Sequence, residues 1–342
     1  MPMRFAAMLL LALFASFALP ASAWNRLHAT RFATLPAGTA HPEGITVDPR
    51  TGTFYVADFD VSKASGPGDV VVFDRNGRWL RTLQVAPATN LLLGIAINPV
   101  TGDLLVCDLG LSSGKPQVVK VDPKTGASSV FAALPAGAGP NALAFDTAGN
   151  VYISDSFGST IWRTPPTGGA PASWVSDPLL GTSGVPPFGA NGMAFNQSAT
   201  SLFVANTGND TIVRVPVNAD GSAGTPEVFI NSINGADGLV IDASDNLWVA
   251  ANQADEIVVV DPTGRAIAKL GDFDGIDRRG APVGLLFPAS LVFSGGFVYV
   301  TNLSLDLRLF NAPTVDSQWA AQVTRHTIAR LPALIPPIRD TE

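Results

Sequence analysis

Apolar residues in this chain come in short runs fenced by Gly, Pro, Asn or Asp, and one arrangement is written six times. A small residue (Gly, Ala or Ser) opens a first run at 44–48, 94–98, 142–146, 192–196, 238–242 and 290–294. A turn follows, then a second run at 54–58, 104–108, 151–155, 202–206, 247–252 and 298–302 that ends in Asp or Asn, the fifth copy being one residue longer. Runs rich in β-branched and aromatic residues between such turn residues predict strands. The residue before each opening small residue stands at 43, 93, 141, 191, 237 and 289, so the repeat is about 50 residues long, the length of a propeller blade. A four-stranded blade cannot bury both its faces alone. Stacking blades around an axis buries them and leaves only short edges.

The ring has to close. The sixth copy has a third run at 326–331 that resembles 159–163 and 210–214, and no fourth run follows it. The missing text is at the other end: Thr30-Arg31-Phe32-Ala33-Thr34-Leu35-Pro36 repeats Ser129-Val130-Phe131-Ala132-Ala133-Leu134-Pro135. The expectation is an all-β, six-bladed β-propeller whose last blade is closed by the N-terminal strand. Ahead of it, Arg4, an apolar run at 5–19 and Ala21-Ser22-Ala23 have the order of a secretory signal peptide over 1–23, leaving a single propeller domain over 24–342. The protein is expected to be secreted or periplasmic, a monomer, and without a membrane span in the mature chain.

Composition narrows the partners. The net charge is −7, only 14% of residues are charged, and basic clusters are missing, which argues against nucleic acid or anionic membrane. The single cysteine, Cys107, excludes an intramolecular disulfide and reads as a buried small apolar residue. Three long loops, 176–190, 271–287 and 303–325, all emerge on the face that carries the residue before each first strand, and long loops on one face of a rigid scaffold shape binding sites.

The first strands line the central channel, so Glu43, Leu93, Asn141, Asn191, Asp237 and Ala289 converge on the axis. Two carboxylates in so narrow a space repel each other unless something positive lies between them. Glu43, Asn141, Asn191 and Asp237 offer four hard oxygens and no thiol or imidazole, a set suited to Ca2+ or another divalent cation of its kind. The second-strand ends form an outer ring of Asp58, Asp108, Asp155, Asn206, Asn252 and Asn302, whose uniformity points to loop hydrogen bonding. Within it, Asp155 and Asn206 are candidates to support the metal ligands from behind. His41, two residues before Glu43, is a candidate for substrate contact or proton transfer. Two other motifs fail on context. Gly110-Leu111-Ser112-Ser113-Gly114 lacks the strand-to-helix setting of a nucleophile elbow, and the loop starting at Asp272 has Val283 where a calcium loop needs Glu.

Glu43-Gly44, Asn141, Asn191-Gly192 and Asp237-Gly238 resemble the metal ligands of the senescence-marker-protein / gluconolactonase / luciferin-regenerating-enzyme family. Diisopropyl fluorophosphatase and the paraoxonases, related six-bladed calcium hydrolases, have the same Glu, Asn, Asn, Asp order. The resemblance implies a Ca2+-dependent hydrolase of the lactonase or esterase type acting on a small lactone or ester. The metal would polarise the carbonyl, and Asp237 or Glu43 would orient or deprotonate the water. One departure stands out: sugar-lactone enzymes of the family usually carry a basic residue shortly before the third-blade Asn, and here the run is Gly139-Pro140-Asn141. Phe188, Leu285, Leu286, Phe287 and Trp319 in the mouth loops suit a more apolar substrate. The alternatives are a non-catalytic ligand-binding propeller with a structural metal, and a strictosidine-synthase-like or lyase-like propeller. The last of these would lean on a mouth histidine.

Overall fold

Six four-stranded antiparallel sheets surround a common axis in the computed structural model, which describes residues 25–311, 314 and 316–337. The leader expected at 1–23 lies outside the described residues. Blade 1 runs outward through Pro42–Asp48, Thr53–Asp58, Gly68–Phe73 and Trp79–Val85. The innermost strands of blades 2 to 6 are Leu92–Ile97, Pro140–Phe145, Ala190–Phe195, Ala236–Ile241 and Pro288–Ser294. Blade 6 is completed by Thr30–Thr34, which pairs antiparallel with Thr327–Pro332. The first and last strands of the described chain therefore fasten the ring. Phe32 seals that seam, its ring 5.0 Å from Phe54 and 4.6 Å from Tyr299.

The second strands explain why the apolar runs do not alternate. Leu104–Asp108, Val151–Asp155 and Ser201–Asn206 are buried at every position, because a neighbouring blade covers each face. The apolar clusters lie between blades: Val70, Leu104 and Val106 join blades 1 and 2, and Trp248, Ile257 and Val298 join blades 5 and 6. Each fully buried Val or Leu contributes about 1.5–3 kcal/mol. Outer strands such as Ala172–Ser176 keep an exposed side. Cys107 is fully buried in one of these clusters.

Every innermost strand has a β-bulge at one place. The register slips between Pro42 and Ile45, Leu92 and Ile95, Pro140 and Leu143, Ala190 and Met193, Ala236 and Leu239, and Pro288 and Leu291. Each slip spans the mouth residue and the small residue after it, and a bulge re-aims the side chain it carries. The small residue is dictated by crowding: a Cβ on Gly192 would stand 2.4 Å from the carbonyl oxygen of Asp237 in the next blade. Gly44, Gly94 and Gly238 face the next mouth carbonyl at the same distance. Blades 3 and 6 keep a Cβ, at Ala142 and Ser290. In both, the backbone N–H at this position donates to a second-strand hydroxyl, Ser154 or Thr301.

The outer ring of second-strand ends clamps the loops leading into the blades. Asp58 accepts from the N–H of Ala40, Asp108 from Thr89, and Asp155 from Gly139. Asn206 donates to the carbonyls of Leu179 and Gly181, and Asn302 accepts from the N–H of Leu286. In blade 5 the strand ends at Ala251, so Asn252 is not a member of this ring, contrary to the expectation. Of the mouth-loop apolar residues, Leu285 and Leu286 are fully buried, and Trp319 sits half-exposed at the rim 6.4 Å from Phe273. The loop starting at Asp272 leads into a small hairpin, Phe273–Ile276 with Pro282–Gly284. Phe287 adopts φ +48°, a left-handed conformation unusual for a bulky residue, and its N–H donates to buried Asp255 at 2.7 Å.

Two predictions follow from this packing. Gly192→Ala drives a Cβ into the Asp237 carbonyl and is expected to destabilise the fold by about 1–3 kcal/mol, the usual range for overpacking. Denaturant unfolding of both proteins checks it. Burial, reinforced by nearby Asp316, Asp272 and Glu256 and opposed by the Phe287 N–H, pushes the Asp255 carboxyl up to about 8. Its unfolded value is about 3.9, so the folded state holds the proton more tightly. Stability from this group is complete below about pH 4 and is lost as pH rises through 8. Asp255→Asn keeps the acceptor and removes the titration. The melting temperature of the wild type is therefore expected to fall relative to the variant between pH 7 and pH 9.

Candidate functional site

The six bulges turn Glu43, Leu93, Asn141, Asn191, Asp237 and Ala289 toward the axis, all buried. The four polar ones line both a small recess on the loop face and the channel beneath it. They form the floor that separates the two spaces.

The amides are fixed by hydroxyls from the residue that follows each second strand. Asn141 Nδ2 donates to Ser156 Oγ at 3.1 Å, and Ser156 Oγ donates to the Ala190 carbonyl at 2.7 Å. One blade on, Asn191 Nδ2 donates to Thr207 Oγ1 at 2.9 Å, and Thr207 Oγ1 donates to the Ala236 carbonyl at 2.8 Å. Each hydroxyl gives its only proton to a carbonyl, so toward the amide it can only accept. That settles which way each amide faces and leaves its oxygen for the mouth. In blade 5 the corresponding residue is Asn252, whose Nδ2 donates to Asp237 Oδ2 at 3.0 Å. One oxygen of Asp237 is thereby anchored and the other is left open.

Three buried acceptors at the mouth have no partner: Glu43 Oε2, Asp237 Oδ1 and Asn252 Oδ1. Buried polar atoms are normally satisfied, so three orphans in one place require an explanation. Burial, and then the charge of Asp237, raises the Glu43 carboxyl well above the usual carboxylate range. Asp237 is raised by burial too, against the opposing bond from Asn252. The cluster is rich in acceptors and short of positive charge. Among the described residues no three His, Cys, Asp or Glu side chains gather as a metal site. The mouth has two carboxylates, and its remaining oxygens come from amides. Hard divalent cations take such sets and softer metals do not.

Other residues named from the sequence lie elsewhere. Asp155 accepts from the N–H groups of Gly139, Phe157 and Gly158 and from Trp162 Nε1. Asn206 bonds loop carbonyls. Neither is bonded to Asn141 or Asn191, whose partners are Ser156 and Thr207. His41 is turned away from the recess. Its Nδ1 is 3.0 Å from the Leu303 carbonyl, and its ring packs against His326 with centroids 4.5 Å apart. No histidine lines the recess among the described residues, so the mouth lacks the group on which a lyase-like propeller would lean. Of the mouth-loop apolar residues, Phe188 and Phe287 do line it.

Ser156 and Thr207 are the site residues that sequence reasoning missed, and Asn252, expected in the outer ring, belongs with them. A signal for them was present. The residue after the second strand is polar only in blades 3, 4 and 5, the blades whose mouth residues are Asn, Asn and Asp. In blades 1, 2 and 6 it is Phe59, Leu109 and Leu303.

Comparison with known proteins agrees with this architecture. Residues 188–271 match the SMP-30/Gluconolactonase/LRE-like region, a span that carries Asn191, Thr207, Asp237 and Asn252. No curated protein matches the chain in sequence. Among solved structures, the calcium-binding protein regucalcin from Agrobacterium tumefaciens aligns with TM-score 0.63 at 19% identity, covering 92% of this chain and 98% of that one. A gluconolactonase from Xanthomonas campestris aligns with TM-score 0.61 at 16% identity, covering 90% and 93%. An auxiliary nutrient binding protein from Bacteroides ovatus aligns with TM-score 0.62 at 11% identity, covering 91% and 78%. At these identities the structural likeness speaks for the fold. By its matched region, its six-bladed fold and its mouth residues together, the chain resembles the SMP-30/gluconolactonase/LRE-like proteins, and residues 188–271 are a region of that family.

Proposed function

We propose that the mouth is the active site of a divalent-cation-dependent hydrolase acting on a lactone or ester. The observation that carries this reading is the set of unpartnered buried oxygens of Glu43, Asp237 and Asn252 beside the fixed amides of Asn141 and Asn191. The matched family region supports it. So do the calcium binding in regucalcin's description and the activity named for the Xanthomonas protein.

Glu43, Asn141, Asn191 and Asp237 would hold the cation, with Asn252 Oδ1 as a further oxygen. Bound Ca2+ would supply a positive contact for a carbonyl oxygen and for the oxyanion that develops on it. Asp237 suits the role of base: Asn252 fixes one of its oxygens, and the open one is free to accept a proton from water. The water oxygen bonds to the acyl carbon and its proton passes to Asp237. The acyl C–O bond then breaks, and that proton goes to the departing alkoxide. For a lactone the product is a single hydroxy acid. Buried positions and anchored amides keep the oxygens in place, which is what positioning catalysis requires. A secreted or periplasmic location, through the leader at 1–23, belongs to the same proposal.

Two outcomes test this. Asp237→Asn is expected to lower kcat for lactone hydrolysis by about 10²–10⁴-fold, the range for losing a general base, with an unchanged far-ultraviolet spectrum. Full activity in this variant removes Asp237 from the mechanism, and chelator-insensitive wild-type activity removes the cation. Asn252→Leu is expected to weaken calcium binding, read by titration calorimetry, by about 10–100-fold, as when a ligand's supporting partner is lost.

A further inference from the structure

The mouth has two unlike halves. Blades 3, 4 and 5 present Asn141, Asn191 and Asp237 backed by Ser156, Thr207 and Asn252. Blades 6, 1 and 2 present Ala289, Glu43 and Leu93, with Leu303, Phe59 and Leu109 at the backing positions. Glu43 is the one polar interruption of the apolar arc. Phe59, Leu93, Phe287 and Leu303 line the recess and belong to one continuous apolar cluster.

We infer that this site, on the hydrolase reading above, takes a lactone or ester bearing a hydrocarbon substituent, and that the two arcs orient it. The carbonyl end faces blades 3 to 5, and the hydrocarbon lies against blades 6, 1 and 2. Three observations carry this.

The first is the lack of donors on the apolar arc. The hydroxyl protons of Ser156 and Thr207 already go to carbonyls, and the amides of Asn141, Asn191 and Asn252 stand on the opposite side. Among the described residues no Arg, Lys or His lines the recess. A ring hydroxyl of a polyhydroxylated lactone lying against Phe59, Leu93, Phe287 and Leu303 would be desolvated there without a partner, which a polar-specific site avoids.

The second is strain. Phe287 forms part of the wall at φ +48°, where a glycine would sit at ease, and buried Asp255 holds its N–H. Strain of this kind persists where the surroundings over-determine it, and it clusters at functional sites. Here it places an aromatic ring in the recess.

The third is continuity outward. Phe188 lines the recess with its ring 5.5 Å from Phe157 and 6.2 Å from Phe310. Phe157 is 41% exposed. An apolar track thus leads from the recess through Phe188 to the exposed ring of Phe157.

The test uses calcium-loaded mature protein and three probes: γ-butyrolactone, γ-decalactone and D-glucono-δ-lactone. The expected result is a kcat/KM at least about tenfold higher for decalactone than for butyrolactone, since each buried methylene favours binding severalfold. Gluconolactone should be the poorest of the three. Phe287→Ala, and Phe188→Ser in a loop where folding is not at risk, should each lower the decalactone-to-butyrolactone ratio. Equal rates on the two alkyl lactones, or preference for gluconolactone, overturns the inference and leaves the hydrolase reading standing. If none is hydrolysed, the hydrolase reading fails, and calorimetric binding of the same probes decides the inference. Tighter binding of decalactone, weakened in Phe188→Ser, upholds it, and no dependence on chain length overturns it.

Discussion

The constraint on which the structure depends is the crowding of six innermost strands around one axis. At the position after each mouth residue, the backbone of one blade presses on the mouth carbonyl of the next, and in four blades a Cβ would stand 2.4 Å from that oxygen. Closure of the ring enforces this approach, with the N-terminal strand fastened to the last blade. A bulge stands at the same place in all six innermost strands, and it turns the mouth residue inward. Fold and site are therefore one problem. The small residues that let the ring close are also what bring two carboxylates and two amides face to face.

That convergence is unfavourable by itself. Buried carboxylates and orphaned acceptors oppose folding unless a counter-charge is shared among them. The protein stiffens the cluster from behind, with hydroxyls that orient the amides and with outer-ring side chains that clamp the incoming loops. Functional sites commonly hold such local conflicts in a framework stable enough to tolerate them. The apolar arc opposite gives the oxygens a low-dielectric neighbour, which strengthens electrostatic contacts among them.

The repeat made most of this legible in the sequence. The period, the small residue opening each first strand and the displaced fourth strand at 30–36 gave the propeller and its closure, because sterics and burial write those features directly into residue type. The placing of Glu43, Asn141, Asn191 and Asp237 together at the mouth was legible for the same reason. What escaped were directions within a residue or two. Asp155 and Ser156 are adjacent, and neighbouring residues point to opposite sides. The more acidic side chain clamps the loop while the serine bonds Asn141. Asn252 read as the end of a longer strand, whereas the strand ends at Ala251 and the asparagine opens a 3-10 turn. His41 and Glu43 would share a face in a regular strand, but the bulge between Pro42 and Ile45 breaks that alternation and His41 meets His326 instead. Sequence periodicity carries register well, and it carries the local geometry of a bulge poorly.

The central claim is that the oxygens of Glu43, Asn141, Asn191 and Asp237 share one cation. The most direct measurement is crystallographic: mature protein crystallised with calcium, with diffraction recorded at a wavelength where calcium scatters anomalously. The account expects a single strong anomalous peak on the axis with those four side chains around it at about 2.3–2.6 Å, as calcium–oxygen contacts require. A folded ring with no peak at the mouth, or with the peak held by other residues, would contradict it.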